Sequence, residues 1–389
     1  MKILTCIAVG TLLTLNLVTF LFLLDLVPQK NLSNIYKPKE VLDFSAFYTA
    51  AHIINSGEVG NLYNQELQLK VQNEKIPPPT RSTPLTFRNP PIVGYLFLPF
   101  SVLDYSSSYK LFLLMNLLII CFALVITCKT FEIKNSVALV VGGAFYPLFA
   151  TLYWGQISSL VFLGISLSFY FYKKKLFLFS GVFASLVFVK PQFLLFLPLV
   201  YFGLKAGEQR KLFFLGAFGA LLVVALTSVL LLGSDGVWAY PKFVTSTERL
   251  TAGTDTTFLY TISGAFYKFF GRERGFIPGL ITSAAVYSIS LLKLAKKSFK
   301  QDLLNPKIIL IIVLTTLLTS MHALIADYLS LIIPILLFLK KPKWVALFLF
   351  VFSSILADSF VFIGSLMLTA LLIRETLERP LRVGKAPLH

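Results

Sequence analysis

The chain has 389 residues, of which 56% are hydrophobic and only 14% are charged. A soluble domain has about 25% charged residues, so this composition excludes an ordinary water-soluble fold and favours a membrane protein. The net charge of +17 comes from Lys and Arg residues in short clusters between apolar runs. That pattern is typical of the cytoplasmic loops of membrane proteins, so the positive charge does not indicate a nucleic-acid-binding surface.

The apolar runs predict an all-α protein that crosses the membrane many times. A first span reaches Leu24, and the polar loop that follows it, 25–89, has a length typical of functional loops. Pro90–Leu103 is apolar but short and contains three prolines. Further spans are predicted at 109–128, 136–151, 156–172, 176–189, 191–204, 211–232, 276–292, 307–321, 325–339, 343–357 and 360–373. Several are shorter than the ~20 residues that an upright helix needs, so we expect tilted or re-entrant pieces within a bundle of about 10–13 helices.

Basic residues are unevenly divided between the two sides of this predicted topology. With the N-terminus inside and Pro90–Leu103 returning to the outer face, the inner segments hold 21 basic and 5 acidic residues, whereas the loop 25–89 holds 7 basic and 6 acidic. Lys and Arg accumulate in cytoplasmic loops. The sequence therefore predicts one integral domain, 1–389, in the cell inner (plasma) membrane, with both termini cytoplasmic and extracytoplasmic loops at 25–89 and 233–275.

Five polar clusters do not have the character of simple loop residues. They are Asp43–Ser45, Arg88–Pro91, Tyr153–Gln156, Lys190–Gln192 and Met321–Tyr328. All five fall on the outer side of the predicted topology, which indicates a single site there. This prediction requires a hairpin at 176–204, because one kinked span would place Lys190 in the middle of the membrane and would invert every later loop.

Asp43 stands near the start of a predicted helix from Val41 to Asn55. A carboxylate just outside the bilayer is suited to act as a general base on a hydroxyl group. The alternative is a first-turn residue that stabilises the helix dipole. His52 lies nine residues further on, on the opposite side of the helix, so it does not share a face with Asp43.

Two basic residues are candidate contacts for an anionic ligand. Lys190 lies between apolar stretches, where a cation is costly and needs an anionic partner. A phosphate is one such partner, and Asp43 or Asp327 is the structural alternative. Arg88 precedes Asn89 and matches phosphate oxygens bidentately, its alternative role being an interfacial anchor.

Three further residues are polar near the outer ends of spans. His322 and Asp327 are five residues apart, so helix geometry does not guarantee a direct pair, but each is polar where an apolar residue would be cheaper. Gln156 is suited to hydrogen-bond a ligand or a neighbouring helix. The sequence has no GxGxxG turn, P-loop or metal-ligand cluster, which predicts no nucleotide-sugar substrate, no cofactor and no metal.

Taken in chain order, these polar segments resemble the family 87 glycosyltransferases. These are integral membrane enzymes of the GT-C class that include polyprenol-phosphate-mannose-dependent mannosyltransferases. The resemblance is carried by Asp43–Ala51, Gly57 with Leu62–Asn64, Phe87–Pro91 with Leu98–Leu103, Trp154–Gln156, Gly181 with Lys190–Gln192, and His322–Tyr328. It covers residues 1–340 approximately and depends on the order and spacing of short pieces.

The resemblance implies a GT-C-like helical bundle and transfer of a hexose, mannose-like, from a polyprenyl-phosphate-linked donor to an extracytoplasmic glycan or glycolipid acceptor. It implies that Asp43 is the catalytic base. With a carboxylate base and a phosphate leaving group on opposite faces of the sugar, transfer is expected to invert the anomeric centre without a metal. The expected substrate-binding residues are Arg88, Asn89, Tyr48, Gln156, Lys190, Gln192, His322 and Asp327. The expected partners are the lipid-linked donor, the acceptor and the bilayer, and no nucleic acid.

Other functions fit the same spans. A transporter or flippase for a lipid-linked sugar would share Lys190, but transporters often show internal repeats, and the single long outer loop favours an enzyme. A glycan ligase or polymerase would share an outer-face site but would use a polymer-sized donor. A catalytically inactive scaffold is a third alternative.

Overall fold

The computed structural model describes residues 42–77, 80–249, 259–296, 302–338 and 367–374, together with Thr14, Leu17, Val18 and Leu21. Apart from Thr14, Leu17, Val18 and Leu21, the predicted first span lies outside these residues, as does the predicted span at 343–357, and the predicted span at 360–373 is described only from residue 367 onward. The described residues form helices and no strand, which confirms the all-α class. The α-helices are α1 (Phe44–Asn55), α2 (Gln65–Lys75), α3 (Pro91–Leu96), α4 (Tyr105–Phe131), α5 (Asn135–Gly143), α6 (Tyr146–Trp154), α7 (Ser158–Lys173), α8 (Phe177–Ala184), α9 (Phe196–Gly203), α10 (Glu208–Arg249), α11 (Ile262–Ala295), α12 (Pro306–Thr319) and α13 (Ile332–Leu337). Short 3₁₀ helices occur at Val59–Asn61, Leu98–Val102, Ser185–Val189, Pro191–Leu195 and Ile325–Leu331.

Three helices in the described part of the chain are long and apolar enough to cross a membrane: α4, α11 and the Glu208–Ser234 portion of α10. The pair α5 and α6 adds a fourth if it is counted as one span bent by 65°. Only 17% of the apolar stretch of α10 and 22% of that of α11 is buried within the protein, against 50% for α4. Apolar side chains left outside the protein need lipid as their solvent, so the membrane-protein class is confirmed.

The remaining apolar helices are shorter, and residues 176–204 form a hairpin, as predicted. The first arm runs antiparallel to α7, because Ser168 Oγ lies 3.2 Å from Ser180 Oγ while Lys190 Nζ lies 3.0 Å from Ser158 Oγ. The second arm then returns along α7, since the Phe196 ring packs 6.2 Å from that of Phe169. Lys190 is therefore at the tip of the hairpin.

A close helix crossing holds the hairpin against α10. An added Cβ at Gly181 would lie 2.0 Å from the carbonyl oxygen of Phe213, and one at Gly216 would lie 2.0 Å from that of Leu178. Both positions therefore exclude any side chain. Small residues of this kind allow two membrane helices to approach backbone to backbone.

The two ends of α7 define two ends of the bundle. At its C-terminal end, Lys173 Nζ donates to Thr130 O at 2.7 Å and to Glu132 at 2.9 Å, which places the end of α4 at the same level. The hairpin returns to this level before the loop Lys205–Lys211. We call this the basic end, and it consists of Lys129–Lys134, Lys173–Lys175 and Lys205–Lys211. The opposite end, at Ser158 and Lys190, is called the polar end.

The segment 42–104 folds over the polar end, and two buried glutamines shape it. Gln68 donates to Leu62 O at 2.8 Å and accepts from Phe87 N at 2.9 Å. Gln72 donates to Leu85 O at 2.8 Å and accepts from the backbone N of the same residue at 3.0 Å. Both amides are completely buried and satisfied, as buried polar groups need to be. Together they fix the stretch of chain that leads to Arg88 and Asn89.

Candidate active site

Asp43 is half-buried at the start of α1, which begins at Phe44 and ends at Asn55, close to the predicted bounds. Its side chain makes no capping hydrogen bond to the helix. Instead the Gln156 side-chain amide, which comes from the turn between α6 and α7, donates to Asp43 Oδ2. A hydrogen bond to the charged form of a carboxylate stabilises and orients it. The position at a helix start is thus as predicted, and the carboxylate faces another segment of the chain.

Gly155 makes the approach of Gln156 to Asp43 possible. It ends α6 with a left-handed backbone, φ +65°, which favours glycine. A Cβ at this position would lie 2.7 Å from Phe44 Cβ, a distance that real Cβ atoms do not tolerate. The Trp154–Gln156 segment therefore depends on glycine both for its turn and for its contact with the helix that follows Asp43.

Lys190 and Asp327 form a buried ion pair, in which their side chains are 7% and 1% exposed. Ser158 Oγ bridges them, since it accepts from Lys190 Nζ at 3.0 Å and donates to Asp327 Oδ1 at 2.8 Å. The other carboxylate oxygen accepts from Leu324 N at 2.9 Å. The anionic partner that a buried lysine needs is therefore supplied within the chain, which is one of the alternatives that the sequence left open.

Asn89 connects the 42–104 segment to the hairpin tip. Its side-chain amide donates to Val189 O at 2.8 Å, and its own carbonyl oxygen accepts from Tyr63 Oη at 2.8 Å. Arg88 is half-buried beside it, and its Nε donates to Thr86 Oγ1 at 3.0 Å. The guanidinium is thus oriented by a short-range contact at the polar end.

These contacts join the five polar segments predicted to share one side into two groups, and Ser158, two residues after Gln156, links the groups through its bonds to Lys190 and Asp327. Asp43 bonds to Gln156, Asn89 bonds to the residue before Lys190, and Lys190 bonds to Asp327. We call Asp43, Asn89, Gln156, Lys190 and Asp327 the polar cluster. It combines a carboxylate, two side-chain amides and a buried ion pair within one hydrogen-bonded end of the bundle.

Three other predicted site residues lie near the polar cluster with different surroundings. Tyr48 is 2% exposed, and its hydroxyl donates to Leu103 O at 2.8 Å. Gln192 is half-buried in the 3₁₀ helix directly after the hairpin tip. His322 is half-buried in the segment that precedes the Ile325–Leu331 helix, and the next residue, Ala323, accepts a backbone hydrogen bond from Tyr260 at 3.0 Å.

Sequence reasoning missed two residues that organise the polar cluster. Ser158 bridges the ion pair, and the only sequence feature that could have identified it is its position two residues after Gln156. Asn116 is 1% exposed within α4, and its Nδ2 donates to Gln156 O at 2.7 Å. The sequence feature that could have identified Asn116 is the occurrence of a primary amide inside the apolar run Leu111–Ile126, where a polar side chain is costly.

The fold and the polar cluster define a polytopic helical membrane protein with a hydrogen-bonded site at one end. The family model for glycosyltransferase family 87 matches residues 87–321, which is more than half of the 389 residues. The chain therefore belongs to glycosyltransferase family 87, whose members are membrane glycosyltransferases. No match was found among curated proteins or among solved structures.

The matched region contains only part of the site. Arg88, Asn89, Gln156, Lys190 and Gln192 lie within it. Asp43 and Tyr48 precede it, and His322 and Asp327 follow it. The hydrogen bonds from Gln156 to Asp43 and from Lys190 to Asp327 connect both flanking regions to the matched one.

Proposed function

We propose that this chain transfers a mannose-like hexose from a polyprenyl phosphate to a glycan or lipid acceptor on the extracytoplasmic side of the plasma membrane. The observation that carries the proposal is the orientation of the half-buried Asp43 carboxylate by Gln156 at the polar end. In this proposal the polar end, with the loops 25–89 and 233–275, faces outward, and the basic end and both termini face the cytoplasm.

The proposed reaction is a single displacement at the anomeric carbon. The acceptor hydroxyl oxygen attacks that carbon while its proton passes to Asp43, and the bond from the anomeric carbon to the phosphate oxygen breaks. The electron pair of that bond leaves with the polyprenyl phosphate, and the protonated Asp43 then releases its proton to water. Because attack comes from the face opposite the leaving group, the configuration at the anomeric carbon inverts.

Arg88 is the proposed main contact of the donor phosphate. It is half-buried next to Asn89, and a guanidinium can hold two phosphate oxygens as negative charge develops on the leaving group. Lys190 is the second proposed contact and is paired with Asp327. Gln192, which follows the hairpin tip, is the third proposed contact.

The test is a transfer assay with the purified protein in lipid nanodiscs. We expect radiolabelled mannose to pass from synthetic polyprenyl phosphate mannose to a short mannoside acceptor, but not from a nucleotide sugar. Nuclear magnetic resonance of the product should show the anomeric configuration opposite to that of the donor. Transfer from a nucleotide sugar, or retention of configuration, would contradict the proposal. Movement of intact donor across vesicles without a new glycosidic bond would favour the transporter alternative.

A further inference from the structure

Asn116 uses both ends of its amide to hold one short turn. It lies within α4 and is 1% exposed, so each polar atom needs a partner inside the protein. Nδ2 donates to Gln156 O at 2.7 Å, and Oδ1 accepts from the Ser159 hydroxyl. Both partners lie in 155–159, the stretch in which the chain passes from α6 to α7.

That turn carries several of the contacts that build the polar cluster. The Gln156 side chain donates to Asp43, and Ser158 bridges Lys190 and Asp327. Gly155 touches the helix that follows Asp43. A displacement of the turn would therefore move the Gln156 side-chain amide away from the Asp43 carboxylate, to which it donates a hydrogen bond.

We propose that Asn116 is a positioning residue for glycosyl transfer, which fixes the turn so that Gln156 orients the Asp43 carboxylate. The inference rests on the proposed role of Asp43 as the base. Asn116 acts through Gln156, because its Nδ2 donates to the backbone carbonyl oxygen of that residue while its Oδ1 accepts from the Ser159 hydroxyl. Misplacement of a catalytic group by about 1 Å is enough to lower a rate by up to about 100-fold.

Thr127 is a matched control on the same helix. It is buried, lies about three helical turns from Asn116, and its hydroxyl is 3.0 Å from Ser166 Oγ of α7. Asn116→Leu thus removes two buried hydrogen bonds between α4 and the segment 155–173, and Thr127→Val removes one. Only the contacts of Asn116 are linked to Asp43.

The first experiment compares turnover and donor KM in the two purified variants. Asn116→Leu should lower kcat about 10- to 100-fold while donor KM stays within about twofold of wild type. Thr127→Val should keep the wild-type kcat even if the two variants lose similar thermal stability. Wild-type kcat in Asn116→Leu, or an equal loss in both variants, would overturn the inference. If Asn116→Leu does not fold, Asn116→Ser removes both contacts with a smaller polar side chain and should show the same loss.

The second experiment repeats Asn116→Leu in an Asp43→Asn background. If Asn116 acts through Asp43, the double variant should turn over no more slowly than Asp43→Asn alone. Losses that multiply would show a general structural role and overturn the inference. Wild-type turnover in Asp43→Asn would overturn the proposed base itself. Loss in Asp43→Asn with none in Asn116→Leu would overturn only the positioning role.

Discussion

The two ends of α7 each hold a lysine–carboxylate pair, but the pairs differ in their access to water. Lys173 and Glu132, at the basic end, have side chains that are 33% and 83% exposed. Lys190 and Asp327, at the polar end, have side chains that are 7% and 1% exposed. Water and salt screen the first pair, whereas the second lost its hydration when the protein folded. A buried charge pair is therefore costly to keep and damaging to break, whereas an exposed pair of the same chemistry contributes little to stability.

The largest effect on stability is expected from breaking the buried pair. Lys190→Met leaves the Asp327 carboxylate buried without its cation, which should destabilise the protein by about 3–5 kcal/mol. Thermal unfolding of the detergent-solubilised protein measures this loss. The double variant Lys190→Met with Asp327→Leu removes both charges and should recover most of the stability.

The same double variant separates structure from donor binding. If Lys190 contacts the donor phosphate, the double variant should turn over slowly even though its stability is restored. Full activity in it would show that the pair serves only the fold. If Lys190→Met alone were as stable as wild type, the buried pair would contribute no more to stability than the exposed pair, contrary to expectation.

A smaller effect, confined to rate, is expected at Arg88. Arg88→Met removes a guanidinium from the proposed phosphate contact and should lower turnover about 100-fold with little loss of stability. Lys70→Met is the control, because Lys70 is exposed on α2 in the same segment of the chain and is not part of the polar cluster. Equal turnover in the two variants would show that Arg88 does not contact the donor phosphate.

In the proposed topology the polar end and the segment that follows α11 face opposite sides of the membrane. Asn61 is exposed on the segment that covers the polar end, and Lys296 is exposed just after the end of α11. In a protein with its native cysteines replaced, Asn61→Cys should react with a membrane-impermeant thiol reagent from outside intact cells, and Lys296→Cys only after permeabilisation. Labelling of both from one side would refute the topology.

The smallest effect is expected at the basic end. Lys173→Met breaks the exposed pair with Glu132 and should leave the unfolding midpoint and turnover almost unchanged. The Lys173 hydrogen bond and charge lower the pKa of the Glu132 carboxyl. Any small contribution of the pair is therefore present above the ordinary Glu pKa of 4.5 and is lost as the pH falls below it. A loss as large as that of Lys190→Met would show that burial is not what separates the pairs.

Local and patterned features of this protein could be predicted from its sequence. The helix after Asp43 ends at Asn55 as predicted, because Ser56 and Gly57 provide a helix stop and Gly57 has φ +80°. The hairpin with Lys190 at its tip followed from keeping basic loops on one side of the membrane. That the polar clusters would meet followed from the same topology.

The partners within the polar cluster could not be predicted. Gln156 and Asp43 are 113 residues apart, and Lys190 and Asp327 are 137 residues apart. Hydropathy and spacing determine which side a residue faces, but tertiary packing determines which neighbour it meets. Asn116 was overlooked for the same reason, since its value comes from a turn on another segment of the chain.

In the proposed reaction Asp43 accepts the proton of the acceptor hydroxyl. Asp43 and Asp104 both stand at helix starts in the segment over the polar end, but Asp104 is exposed and its side chain accepts from Ser107 N at 3.0 Å as a cap. Asn keeps the shape of either residue and can replace a capping Asp, but it cannot take up a proton.

Single-turnover transfer from polyprenyl phosphate mannose by the Asp43→Asn and Asp104→Asn variants, with donor affinity determined in parallel, distinguishes a proton acceptor from a helix cap. Asp43→Asn should slow transfer by about 10²–10⁴-fold with nearly unchanged donor affinity, and Asp104→Asn should match wild type. Wild-type transfer by Asp43→Asn would contradict the role of Asp43 as the base, and Asp327 would then be the next carboxylate to test.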